Sequence, residues 1–170
     1  MFKKVFFLSL IILAFSFTAF GQKGAAAKAD PAKDVRATFD RLLDGIRQTD
    51  VEKVMSVYDK SARTLFFNNN GSITMGWEDM KANRESSYAK IKNVTLDVAG
   101  VRVEILSPSS AYVSCTWSQQ QEFGGKLETA SGRMTLVFKK TGADWKVVHL
   151  HTSPNRPDET RPVFSSERLN

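Results

Sequence analysis

The chain has two histidines, His149 and His151, and they stand two residues apart in Trp145-Lys146-Val147-Val148-His149-Leu150-His151-Thr152-Ser153. This stretch reads as one β-strand, and side chains two apart on a strand share a face. Strict alternation places Trp145, Val147, His149 and His151 on one face and Lys146, Val148, Leu150 and Thr152 on the other. Imidazole titrates near neutrality, so this pair is the first place to look for a chemically active pocket. Three readings are open. The histidines bind an anionic or polar ligand, or they are structural and hydrogen-bond to backbone or to Ser153, or they ligate a metal. A metal needs a third or fourth ligand, and none is evident, so no metal or other cofactor is expected.

Arg133 falls on the preceding strand, beside the histidines if both face inward. It would repel a cation and favour a carboxylate, which guanidinium holds with two parallel hydrogen bonds. Its other reading is an internal ion pair. A histidine next to a guanidinium is pushed toward its neutral form, where it can accept a hydrogen bond or act as a general base. Tyr58, Trp77 and Trp117 complete the candidate ligand-binding set, and each has a competing reading as a core aromatic. No catalytic residue is assigned. Cys115 is the sole cysteine. It cannot form an internal disulfide and reads as a small buried hydrophobe.

The elements that must position these residues follow from periodicity. Val35, Phe39, Leu42, Leu43 and Ile46 form one helical stripe. Pro31 stands near its start. Asp50 can cap a second, short helix carrying Val51, Val54, Met55 and Tyr58. Residues 62–67 read as a strand, Asn70-Gly71 as a hairpin turn, and 72–76 as the return strand. Residues 77–90 read as a third helix with Trp77, Met80, Arg84 and Tyr88 at helical spacing. Four longer strands follow at 94–106, 111–123, 127–140 and 145–153, separated by turns at Ser107–Ser110, Gly124-Gly125 and Thr141-Gly142. A bulge is expected at Ala99-Gly100. The order α-α-β-β-α-β-β-β-β implies an α+β domain with a curved antiparallel sheet, one face covered by helices.

Residues 1–21 read as an export signal. Lys3 and Lys4 precede the uncharged apolar run Val5–Phe20, and Ala19 and Gly21 supply small residues for cleavage. The expected product begins near Gln22 and is periplasmic or secreted. Residues 22–32 read as a flexible tail, 33–153 as the domain, and 154–170 as an irregular tail. The formal charge is +6, or +4 without Lys3 and Lys4. The basic residues are dispersed and no nucleic-acid motif is present. Neither nucleic acid nor, after cleavage, a membrane is expected as a partner.

The element order, Gly76-Trp77 leading into the third helix, Arg133-Met134-Thr135, and the Trp145…His149-Leu150-His151-Thr152-Ser153 ending together resemble the SnoaL-like branch of the nuclear-transport-factor-2-like superfamily. Relatives include ketosteroid isomerase, the polyketide cyclase SnoaL, scytalone dehydratase and the association domain of calcium/calmodulin-dependent kinase II. The resemblance spans about residues 33–153. It implies a cone-shaped curved sheet wrapped around three helices, with a pocket at the open end. It also implies that the polar and aromatic set (Trp145, Val147, His149, His151, Arg133, Thr135, Val137) lines the cavity. The apolar set (Met134, Leu136, Phe138, Val148, Leu150) would then pack against a second copy as a homodimer through the outer sheet face. The alternative places that apolar set in the core and the histidines outside.

Fold does not decide function in such a superfamily. Three functions are therefore carried forward. The first is an exported binder of a small hydrophobic molecule with an acidic or carbonyl end. The second is an isomerase, dehydratase or cyclase with His149 or His151 as general base. The third is a dimeric interaction module with a vestigial pocket. An inward carboxylate within reach of a histidine would favour the enzyme.

Overall fold

The structure is a computed structural model that describes residues 30–155. The expected export signal and most of both expected tails lie outside the described residues. Helix α1 (Pro31–Arg47) opens where Asp30 accepts hydrogen bonds from the backbone N–H groups of Ala32 and Lys33. The same device starts α2 (Val51–Val57), where Asp50 accepts from the Lys53 N–H at 2.9 Å. The hairpin of β1 (Leu65–Phe67) and β2 (Ile73–Met75) follows, then α3 (Trp77–Tyr88). Strands β3 (Ile91–Ser107), β4 (Ser110–Phe123), β5 (Lys126–Thr141) and β6 (Asp144–Pro154) form a meander through tight turns.

The sheet order is β2-β1-β6-β5-β4-β3. It is mixed, which corrects the fully antiparallel expectation. β1 runs parallel to β6, with Leu65 opposite His149 and Phe67 opposite His151. Turn chemistry dictates the pairing of strands adjacent in sequence; it says nothing about two strands that meet after a long excursion of the chain. β3 carries the expected irregularity, a register shift between Ala99 and Arg102 at Gly100, whose φ of 62° suits glycine.

The concave face packs on the helices. Val35, Phe39, Leu42 and Leu43 of α1 and Val54, Met55 and Val57 of α2 meet Val113, Cys115 and Trp117 of β4, Met134, Leu136 and Phe138 of β5, and Trp145, Val147 and Leu150 of β6. Leu136 and Phe138 are both 0 % exposed. Burying such a side chain contributes about 1.5–3 kcal/mol, so these residues hold the monomer together.

This arrangement overturns the expected assignment of faces, and β6 shows why. Phe138 pairs with Val147, but its neighbour Val137 pairs with His149. Val148 is therefore an extra residue, a bulge, and a one-residue slip sends every later side chain to the opposite face. Trp145 and Val147 point inward with Leu150, while His149 and His151 point outward with Arg133 and Thr135. Met134, Leu136, Phe138 and Leu150 are core residues, so they cannot form the outer dimer surface expected of them.

Candidate functional site

Helix α3 supplies one wall of the site. Gly76, at φ 94°, lets the chain turn from β2 into the helix while its N–H donates to the Thr64 carbonyl at 2.8 Å. Trp77 then ties α3 to α2, its Nε1 donating to the Met55 carbonyl at 2.9 Å. With α3 anchored this way, Met80, Arg84 and Tyr88 lie one above another along the helix and turn toward the sheet. Between that stripe and the concave face lies a cavity of about 890 Å³.

The buried part of its wall is mostly apolar: Leu42, Leu96, Trp117, Met134 and Leu150, with half-buried Ile46 beside them. The rim is polar. The β1–β2 turn contributes Asn68, Asn69, Asn70, Ser72 and Thr74, α3 contributes Asn83 and Ser87, and the β4–β5 arm contributes Gln119, Gln121, Glu128 and Thr129. Part of this rim is self-satisfied. Asn68 Nδ2 donates to Ser72 Oγ at 3.1 Å and to Thr74 Oγ1 at 3.2 Å, and Gln121 Nε2 donates to Glu128 Oε2 at 2.9 Å.

Three polar atoms are not satisfied. Arg84 Nε, the Tyr88 hydroxyl and Asn69 Oδ1 are buried without a hydrogen-bond partner among the described residues, and all three residues line the cavity. The remaining orphan, Trp145 Nε1, belongs to a residue that does not line it. Buried polar groups are nearly always paired, so these three atoms are the open hydrogen-bonding positions of the cavity wall. Tyr58 also lines the cavity, and burial pushes its phenol up to about 12 against the pull of the Arg84 charge. Burial raises the Tyr88 phenol too, again opposed by Arg84. Both phenols therefore carry their protons at neutral pH and are hydrogen-bond donors.

Of the six residues singled out from the sequence, the structure brings Tyr58 and Trp117 to the cavity. Trp77 does not line it: its ring packs against the core, with the Lys60 and Lys81 ammonium groups 4.8 and 5.6 Å from the ring centre. Arg133, His149 and His151 do not line it either: the two histidines stand on the convex face beyond the β6 bulge, and Arg133 is on that face by the regular alternation of β5. Arg133 is exposed, and only its backbone carbonyl serves the core, accepting from Trp117 Nε1 at 3.3 Å. His149 has the structural role that was one of its three readings. Its Nδ1 lies 3.1 Å from the Leu65 carbonyl, to which it can only donate. The Phe67 ring sits 5.3 Å from His149 and 5.5 Å from His151, edge-on to both. His151 borders a separate shallow groove with Phe67, Ile73 and Pro154.

Sequence reasoning missed Arg84, Tyr88 and Asn69 as site residues. The signal for Arg84 was present: a cation in the middle of the stripe Trp77, Met80, Arg84, Tyr88. Glu128, the carboxylate of the wall, is exposed and lies at the arm, and no histidine lines the cavity with it.

The SnoaL-like domain family matches residues 35–157. Among solved structures, a nuclear transport factor 2-like superfamily protein from Salmonella enterica serovar Typhimurium superposes with a TM-score of 0.67 at 20% identity, covering 76% of this chain and 93% of its own. A ketosteroid isomerase-like protein from Erwinia carotovora gives 0.63 at 14% identity, covering 74% and 97%. An uncharacterized cystatin-like-fold protein from Caulobacter vibrioides gives 0.64 at 16%, covering 74% and 89%. At these identities the likeness is one of fold. No curated protein sequence matches the chain. The family match runs from the first turns of α1 past the end of β6, and the cone it predicts is the one described above: this chain belongs to the SnoaL-like domain family.

Proposed function

We propose that the cone of this protein, after export, holds a small, largely apolar organic molecule with an acidic or carbonyl end. The observation that carries this reading is the cavity of about 890 Å³, apolar over its buried wall and bordered by unpaired polar atoms. Small-molecule sites combine a mostly apolar lining with a few convergent polar groups. The apolar wall accommodates the body of the molecule, and Arg84 Nε and the Tyr88 hydroxyl donate to its polar end. The enzyme reading loses its base, because neither histidine reaches a molecule in the cavity. The interaction-module reading loses most of its surface, because Met134, Leu136, Phe138 and Leu150 are core, and of that set Val148 alone is not.

The test is binding of the neutral fluorophore N-phenyl-1-naphthylamine to the mature protein and to Ala130→Trp. Ala130 is exposed and lines the cavity, so an indole there fills the opening without entering the core. Saturable one-to-one binding that the variant loses, with an unchanged urea midpoint, is the expected result. No binding to the wild type, or equal binding to both proteins, refutes the reading. The export component is checked by mass spectrometry of protein recovered from outside the cytoplasm, with a new N-terminus expected near Gln22.

A further inference from the structure

The geometry points to Arg84, with the hydroxyls of Tyr88 and Tyr58, as a carboxylate-binding subsite, and so to a mono-anionic amphipathic acid as the ligand. The inference rests on the cavity reading above and decides between its two kinds of polar end.

Arg84 has no anionic partner among the described residues. Its neighbours along α3 are committed elsewhere: Lys81 pairs with Glu52 of α2 at 2.6 Å and with Glu85 at 3.8 Å. Arg84 joins none of the ion pairs among the described residues, and its Nε is buried and unpaired. Its guanidinium carbon lies 5.6 Å from the Tyr88 ring centre, which holds the cation against an aromatic face inside the cavity. The Tyr88 hydroxyl beside it is also buried and unpaired. Tyr58, on the α2 side, lines the same cavity, and the Arg84 charge is felt at both phenols.

One guanidinium and two protonated phenols make a donor-rich set, and Asn69 Oδ1 is the unpaired acceptor on the same cavity among the described residues. Such a set discriminates for charge. A hydrogen bond from guanidinium to an ionised oxygen is roughly twice as strong as a neutral one, and the planar fork matches the two oxygens of a carboxylate. A single cation suits a single negative charge. A ketone or alcohol would leave the guanidinium charge uncompensated in a partly dry site. Glu128, the carboxylate of the wall, is exposed and already accepts from Gln121, so it does not substitute for a ligand.

The test compares 2-naphthoate with its methyl ester near neutral pH, with N-phenyl-1-naphthylamine as a neutral reporter of the cavity. The acid is expected to bind about tenfold or more tighter than the ester, the discrimination expected of one charged hydrogen bond. Arg84→Gln should abolish that preference by weakening the acid about tenfold, far more than the ester. Arg84→Lys keeps the charge and loses the fork, so it should retain only part of the preference. It also serves as the second variant if Arg84→Gln does not fold. Tyr88→Phe should weaken the acid alone. Equal binding of acid and ester by the wild type, with the neutral probe bound, overturns the subsite and leaves the cavity reading intact. An acid preference that survives in both Arg84 variants also overturns it. Failure of all three probes to bind overturns the cavity reading itself.

Discussion

The Arg84 guanidinium carbon lies 5.6 Å from the centre of the Tyr88 ring, one turn further along α3, and each side chain buries a polar atom with no partner among the described residues. Groups in that state cost stability. An unsatisfied buried donor costs about 1–3 kcal/mol. Arg84→Met keeps the length of the side chain and removes the unpaired donor. The ligand-free variant should therefore be more stable than wild type by about 1 kcal/mol, read as a higher urea midpoint at constant slope. A lower midpoint would mean that Arg84 serves the fold rather than a ligand.

Tyr58 makes stability depend on pH at the alkaline end. Its phenol is raised from 10.0 to about 12 by burial, so the folded protein holds this proton more tightly than the unfolded chain. Below pH 10 the contribution is complete; between pH 10 and about 12 the unfolded state binds fewer protons, and stability falls as pH rises. Two pKa units correspond to about 2–3 kcal/mol. Tyr58→Phe keeps the ring packed edge-on to Phe66, 4.9 Å away, and should flatten this limb of the curve. Urea midpoints measured at several alkaline pH values, variant against wild type, check it. A slope unchanged by the substitution would contradict the assignment.

The two faces of β5 should respond oppositely to truncation. Leu136 is fully buried and points into the cone, so Leu136→Ala should cost about 2–5 kcal/mol. Arg133, three residues earlier, is exposed on the convex face, and Arg133→Ala should stay within about 0.5 kcal/mol. Arg133→Ala should also leave binding of an acidic ligand unchanged, in contrast to Arg84→Gln. Chemical denaturation of the two variants, with calorimetry on the second, distinguishes this arrangement from one in which Arg133 lines the cavity.

Much of the fold was legible because its signals are local. The stripe from Val35 to Ile46 can only be helical, Asp30 and Asp50 stand where helices need a cap, and glycines mark the turns between β4 and β5 and between β5 and β6. The candidate site was legible only in part. Tyr58 and Trp117 reach the cavity, whereas Trp77 packs against the core beneath Lys60 and Lys81. The resemblance implies an inward face for His149, His151 and Arg133; the structure has them on the convex face, the histidines beyond the β6 bulge and Arg133 on the regularly alternating β5.

The amino-acid sequence by itself determined the order of elements and the antiparallel meander from β3 to β6, because capping, turn chemistry and apolar spacing act over a few residues. Only the tertiary structure decided which face of β6 is inside. Period-two alternation is relative, and the extra residue at Val148 inverts everything after it. Nothing about a valine announces a bulge; it is set by packing Phe138 against Val147 while Leu136 meets Leu150. The parallel pairing of β1 with β6 and the enclosure of Arg84 between α3 and the sheet were likewise decided there. Both depend on contacts between segments far apart in the chain, and no local propensity encodes them.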